Sequence, residues 1–160
     1  MPINWEYSSH FGGELNGSPL EFDYARWSEQ IFNSAELGTI SDVNQDPDGD
    51  GISNFLEYVF GSSPFFANST TQRPETSVIS IDGSDYLALS LQRSSFDLPI
   101  EETFQASSDL EGWSNLPSAD YTKFFGSLNA DGTRPETYRS NDPVADYVNR
   151  FYRLEFTIQD

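Results

Sequence analysis

The chain has 160 residues, no cysteine, and 26 acidic against 8 basic residues, giving a formal net charge of −18. Such a field repels phosphate backbones and anionic lipid, and the missing cysteine removes disulfides, thiolate metal sites and cysteine nucleophiles together. The length suits one domain with a small appendage, and 13 Phe, 8 Tyr and 3 Trp supply a core despite a hydrophobic share of only 36%.

Residues 1–19 contain Gly12-Gly13 and Asn16-Gly17-Ser18-Pro19 and read as an irregular lead-in. Residues 20–63 read as a helix, a loop and a second helix. Leu20, Tyr24, Trp27 and Ile31 recur at helical intervals with polar residues between them, which predicts an amphipathic helix of about three turns. After the loop, Phe55/Val59 and Leu56/Phe60 describe a second short helix from Ser53, capped by Gly61 and barred from continuing by Pro64. Both aromatic stripes are read as core packing. Residues 64–75, with Asn68-Ser69-Thr70-Thr71, form a linker.

Beyond the linker the period changes from helical to alternating. Val78–Ile81, Asp82-Gly83 and Tyr86–Leu91 predict a β-hairpin on a tight two-residue turn, with Leu87, Leu89 and Leu91 on one buried face. A third strand is expected over Glu102–Ser107 with Phe104 and Ala106 inward. A pair around Asp131-Gly132 joins Tyr121–Leu128 to Glu136–Arg139, and a last strand alternates through Tyr152, Leu154, Phe156 and Ile158. Short strands with turn signals and no intervening helix make residues 76–160 an antiparallel β-sandwich. The fold class is mainly β, preceded by two short helices around a metal loop. No apolar run approaches the ~20 residues that span a bilayer, so no membrane insertion is expected.

The loop, Asp46-Pro47-Asp48-Gly49-Asp50-Gly51-Ile52-Ser53-Asn54-Phe55-Leu56-Glu57, carries the most specific chemistry. Carboxylates stand at positions one, three and five, a glycine at six, an amide at nine and a glutamate at twelve. A hard cation such as calcium takes about six to eight oxygens, and a short chain supplies them by curling around the ion. Asp46, Asp48, Asp50 and Asn54 offer side-chain oxygens, Ile52 its carbonyl, and Glu57 closes the far side, so one calcium ion is expected.

The segment from about Trp27 to Pro64 resembles bacterial thrombospondin type 3 and dockerin-like calcium repeats. The wider arrangement, with the phrases Ser107-Ser108-Asp109-Leu110-Glu111-Gly112-Trp113 and Arg150-Phe151-Tyr152-Arg153-Leu154, resembles C-terminal modules of secreted planctomycete and verrucomicrobial proteins. The resemblance spans about residues 20–160 and implies a calcium-binding module at the bacterial cell surface or outside the cell. Free calcium is abundant there. No signal peptide precedes Trp5, so either this is a segment of a longer secreted protein or the exterior reading fails. The loop departs from paired EF-hands: Ser53 holds position eight, where a branched apolar residue bridges to a second loop, and Pro47 blocks a second loop begun at Asp42. A solitary clip is expected rather than a paired sensor, with Asp42 and Asn44 outside the ligand set.

Other candidates carry less. His10 is the only histidine and finds no partners in sequence for a zinc site or a triad. Glu101 and Glu102 point to opposite faces of a strand and make no glycosidase pair unless other carboxylates fold close. The serines lack a nucleophile-elbow setting. Asn16-Gly17-Ser18 and Asn68-Ser69-Thr70 fit the glycosylation acceptor pattern, which is frequent by chance. Trp113 and Tyr121, with Phe124 and Phe125, offer a sugar-stacking platform or else fill the sandwich. The expectation is a non-catalytic module of structural, adhesive or carbohydrate-binding role, its partners a carbohydrate or another surface protein. The alternative is a dockerin-like docking module.

Overall fold

The computed structural model describes residues 23–67 and 73–158. The lead-in, His10, Leu20, both acceptor triplets and the middle of the linker lie outside them. Two compact units emerge, one of Met1–Ser69, Arg93–Pro99 and Leu128–Arg134, the other of Thr70–Gln92, Ile100–Ser127 and Pro135–Asp160.

The first unit holds helices α1 (Tyr24–Ile31) and α2 (Asn54–Phe60). Asp23 caps α1, its Oδ1 accepting from the Arg26 N–H at 2.9 Å. The next turn is closed reciprocally, Asn33 Oδ1 accepting from the Ala35 N–H and Glu36 Oε2 from the Asn33 N–H. The helices meet through Tyr24 and Trp27 of the expected stripe and Tyr58, which the Phe55/Val59 and Leu56/Phe60 reading left out. Trp27 and Tyr58 rings lie 5.8 Å apart, Tyr24 meets Tyr58 edge-on, and Trp27, Phe32, Tyr58, Val59 and Phe60 are buried while Phe55 and Leu56 are half-buried. Gly61 ends α2 with φ 74°, as its sequence setting predicts, and serves a second purpose. A Cβ there would stand 2.9 Å from Thr133 Cγ2 and 3.4 Å from Ser94 Cα, so the loops 93–99 and 128–134 seat directly against this turn.

The second unit is built from two antiparallel sheets, as expected for a mainly β chain. Strands β1 (Glu75–Ile81), β2 (Ser84–Ser94), β5 (Tyr121–Phe125) and β6 (Thr133–Ser140) form one sheet in the order β1-β2-β6-β5. Strands β3 (Ile100–Ser107), β4 (Ser114–Asn115) and β7 (Phe151–Ile158) form the other, in the order β4-β3-β7. Asp82 (φ 51°) and Gly83 (φ 84°) make the hairpin turn, and β7 pairs with β3 along its whole length. Phe104 of β3 binds the sheets together, its ring 5.2 Å from Tyr121, 5.4 Å from Tyr138 and stacked at 5.3 Å on Tyr152.

Three details differ from the sequence expectation. Leu87 is only half-buried, whereas Ala88 on the opposite face is 1% exposed, because β2 is an interior strand and Ser90 and Thr137 pair hydroxyls across to β6 on that side. Ile158, counted with the inward residues of β7, is exposed where it pairs with Ile100 at the end of the sheet. The strand β4 was not anticipated: the phrase 107–113 is a tight turn that delivers it. Ser107 Oγ and the Glu111 and Gly112 N–H groups all donate to Asp109 Oδ1, holding that carboxyl below its ordinary range, with Gly112 contributing most.

Candidate metal centre

The loop between the helices is wound by its own aspartates. Asp46 accepts from the Gly49 N–H through Oδ1 and from the Gly51 N–H through Oδ2, at 2.9 and 2.8 Å. Asp48 Oδ1 accepts from the Asp50 N–H at 3.1 Å, and Asp50 Oδ1 from the Ile52 N–H at 2.8 Å. The last two are Asx turns of the kind Asp favours, while Asp46 reaches three and five residues on and so closes the wider curl. Gly49 (φ 73°) and Gly51 (φ 86°) take the left-handed conformations that let the chain reverse twice. As a result, one oxygen from each of Asp46, Asp48 and Asp50 lies within 4.8 Å of the others.

The ends of the loop are tied. The Asn54 N–H donates to the Gln45 carbonyl and the Phe55 N–H to the Val43 carbonyl, while the Ile52 side chain is buried in the core. Asn54 is fully buried, its Nδ2 donating to the carbonyls of Ile40 at 2.7 Å and Asp42 at 2.9 Å. Sequence reasoning assigned Asn54 to the ion alone and missed this anchoring use of its amide, which leaves Oδ1 as a buried acceptor without a donor. The Tyr24 hydroxyl donates to the Ser41 carbonyl and so ties α1 to the same segment. Burial, then the Asp42 charge, pushes that phenol up to about 12.

Glu57 is the unusual residue. It sits in the first turn of α2, is 1% exposed, and both its carboxylate oxygens are buried with no hydrogen-bond donor. Desolvation first, then the charges of Asp48, Asp50 and Asp46, push its carboxyl up to about 8. Asp48 is raised for the same reasons, burial before the Asp50 and Asp46 carboxylates, and its Oδ2 is also buried and unpaired. A buried carboxylate without a donor carries its full desolvation cost. Of these residues, Asp46, Asp48 and Asp50 are the ones whose oxygens converge, and their hard, anionic, all-oxygen set fits a metal ion; Glu57 stands outside that group, close enough for its carboxyl to feel the three charges. Asp42 and Asn44 are exposed and spend their interaction on each other, the Asn44 N–H donating to Asp42 Oδ1.

The aromatic pair singled out in the sequence is not assembled into one platform. Tyr121 opens β5 and packs its ring on Phe104 and Tyr138 in the sandwich interior. Trp113 precedes β4 in the other sheet, with its Nε1 donating to the Leu110 carbonyl and the Arg153 guanidinium 4.4 Å above its ring.

A second carboxylate does fold beside Glu102, which linear reading could not supply. Lys123 Nζ stands 2.8 Å from Glu102 Oε1 and 2.9 Å from Glu136 Oε2, and the Tyr138 hydroxyl donates to Glu102 with Glu136 Oε2 3.3 Å away. Glu136 and Tyr138 are buried, and the lysine occupies the space between the carboxylates, so the cluster is a cross-sheet tie.

Compared with known proteins, the chain matches no family model, no curated protein and no solved structure.

Proposed function

We propose that this chain is a non-catalytic structural module, clipped by one calcium ion, of a secreted or cell-surface bacterial protein. Asp46, Asp48, Asp50, Asn54, Glu57 and the Ile52 carbonyl would hold the ion. The observation that carries the proposal is the Glu57 carboxylate: wholly buried, without a donor, and facing the charge of three aspartates already wound toward one another. Calcium supplies the positive charge that such a set lacks. The chain's own part is to preorganise the loop through Asx turns and to hold α2 where Glu57 can close the site. The exterior location rests on a solitary loop that suits the abundant calcium outside cells better than a cytosolic sensor's role.

Calorimetric titration tests the reading. One calcium ion should bind with a dissociation constant on the order of micromolar to millimolar, and magnesium, which demands shorter bonds and a stricter octahedron, should replace it poorly. No heat on calcium addition, together with one melting temperature in chelator and in excess calcium, would sink it. The non-catalytic part is tested by screening polysaccharides, esters and phosphodiesters in millimolar calcium. Turnover that disappears on mutating a carboxylate outside residues 46–57 would overturn it.

A further inference from the structure

A hollow of about 270 Å³ lies within the second unit, walled by Leu87 of β2 and by the chain from Ser140 to Tyr152. Its apolar wall is Leu87, Val144 and Phe151, and its rings are Tyr147 and Tyr152. The Arg150 guanidinium stands over both rings, 4.6 Å from the Tyr147 centroid and 5.8 Å from that of Tyr152. Among the described residues Arg150 meets no carboxylate within ion-pair distance, and its Nε–H is buried without an acceptor. The positive charge of Arg150 thus has no anionic partner among the described residues. The neighbouring acid does not provide one: Asp142 Oδ2 accepts from the Tyr147 hydroxyl, while the Asp142 carbonyl accepts from Ser140 Oγ, so the wall is tied off in itself.

We infer that this hollow binds a small molecule carrying one carboxylate on a ring, with Arg150 as the anion's partner. A guanidinium placed close to two aromatic rings on the wall of the hollow offers the planar fork that a carboxylate matches in two bonds. The apolar wall requires a ligand with an apolar face, which inorganic anions lack. The Asp142 carboxylate at the wall disfavours a dianion more than a monoanion. The volume admits one ring and excludes a polymer segment of several. A sugar acid and an aromatic acid share this chemistry.

Amide NMR of the full chain in calcium buffer distinguishes them. Glucuronate and benzoate are titrated beside their neutral counterparts, glucose and benzyl alcohol, and beside inorganic phosphate. At least one of the two acids should bind at millimolar concentration and shift signals within residues 140–152. The neutral counterparts and phosphate should bind about tenfold more weakly or not at all. Stronger binding of glucuronate assigns a sugar acid, and stronger binding of benzoate an aromatic acid. Arg150→Gln should abolish the shifts and Arg150→Lys should weaken them, while Arg153→Gln, which alters the other arginine near this strand, should leave them intact. Equal binding of the neutral compounds, equal binding of phosphate, shifts outside the hollow, or full retention in Arg150→Lys would overturn the assignment.

Discussion

Of the three loop aspartates, Asp48 opposes the ionisation of Glu57 most strongly, and each of the two residues keeps buried carboxylate oxygen without a donor. The loop is therefore assembled against its own electrostatics. The side-chain-to-backbone bonds hold acidic groups together that would otherwise separate, and on the calcium reading proposed above a cation would relieve that crowding.

Stability should accordingly follow calcium by mass action. At a free concentration 100 times the dissociation constant the gain is about 2.7 kcal/mol. Thermal melts in chelator and in graded calcium measure it, and the midpoint should climb with the logarithm of calcium concentration.

Without metal, stability should fall as pH rises. Glu57 titrates at about 8 in the folded chain against an ordinary value of 4.5, so between these values the folded state holds a proton that the unfolded state has released. The raised carboxyl of Asp48 acts in the same direction. Urea denaturation in chelator should show the loss between about pH 5 and 8. Glu57→Gln should flatten most of it, raise the metal-free stability near neutral pH, and weaken calcium binding at least tenfold. A Glu57→Gln variant that bound calcium as well as the parent would remove Glu57 from the site.

Chelation should loosen more than the helices. Because Ser94 and Thr133 press on Gly61, loss of hydrogen-exchange protection should extend from residues 23–62 to 93–99 and 128–134, while the paired register of β3 and β7 keeps its protection. Gly61→Ala should cost about 1–3 kcal/mol, through both its left-handed φ and the close Thr133 methyl. Thr133→Ser in that background should recover the steric part.

Removing the lysine that joins the sheets should be expensive. Lys123→Met leaves Glu102 and buried Glu136 facing each other without their cation, a loss of about 3 kcal/mol in urea denaturation. Adding Glu136→Gln should restore part of it, since a neutral amide removes the repulsion.

The elements with short-range signals were legible in the sequence. Helix α2 ends at Gly61 because a left-handed cap and a nearby proline are local facts, and the Asp82-Gly83 hairpin is specified by backbone preference at two positions. The convergence of Asp46, Asp48 and Asp50 was legible because their side chains bond backbone groups only two to five residues away. What escaped depends on groups far apart in the chain. Glu136 lies 34 positions beyond Glu102, so no periodicity joins them; only the pairing of β5 with β6 and the facing of the two sheets do. Tyr121 looked as free as Trp113 in sequence, and it is Phe104 that claims it. Asn54 fits its loop position by residue type, but its hold on Ile40, fourteen residues upstream, has no sequence pattern.

The first unit is discontinuous, and that orders its making. Its helices and metal loop leave the ribosome early, yet the seat on Gly61 is complete only when Thr133 has been synthesised. If the loop takes a calcium ion, it would do so during translation while one side of α2 still lacks its cover, so a nascent chain halted before residue 128 should hold calcium more weakly than the full 160-residue chain.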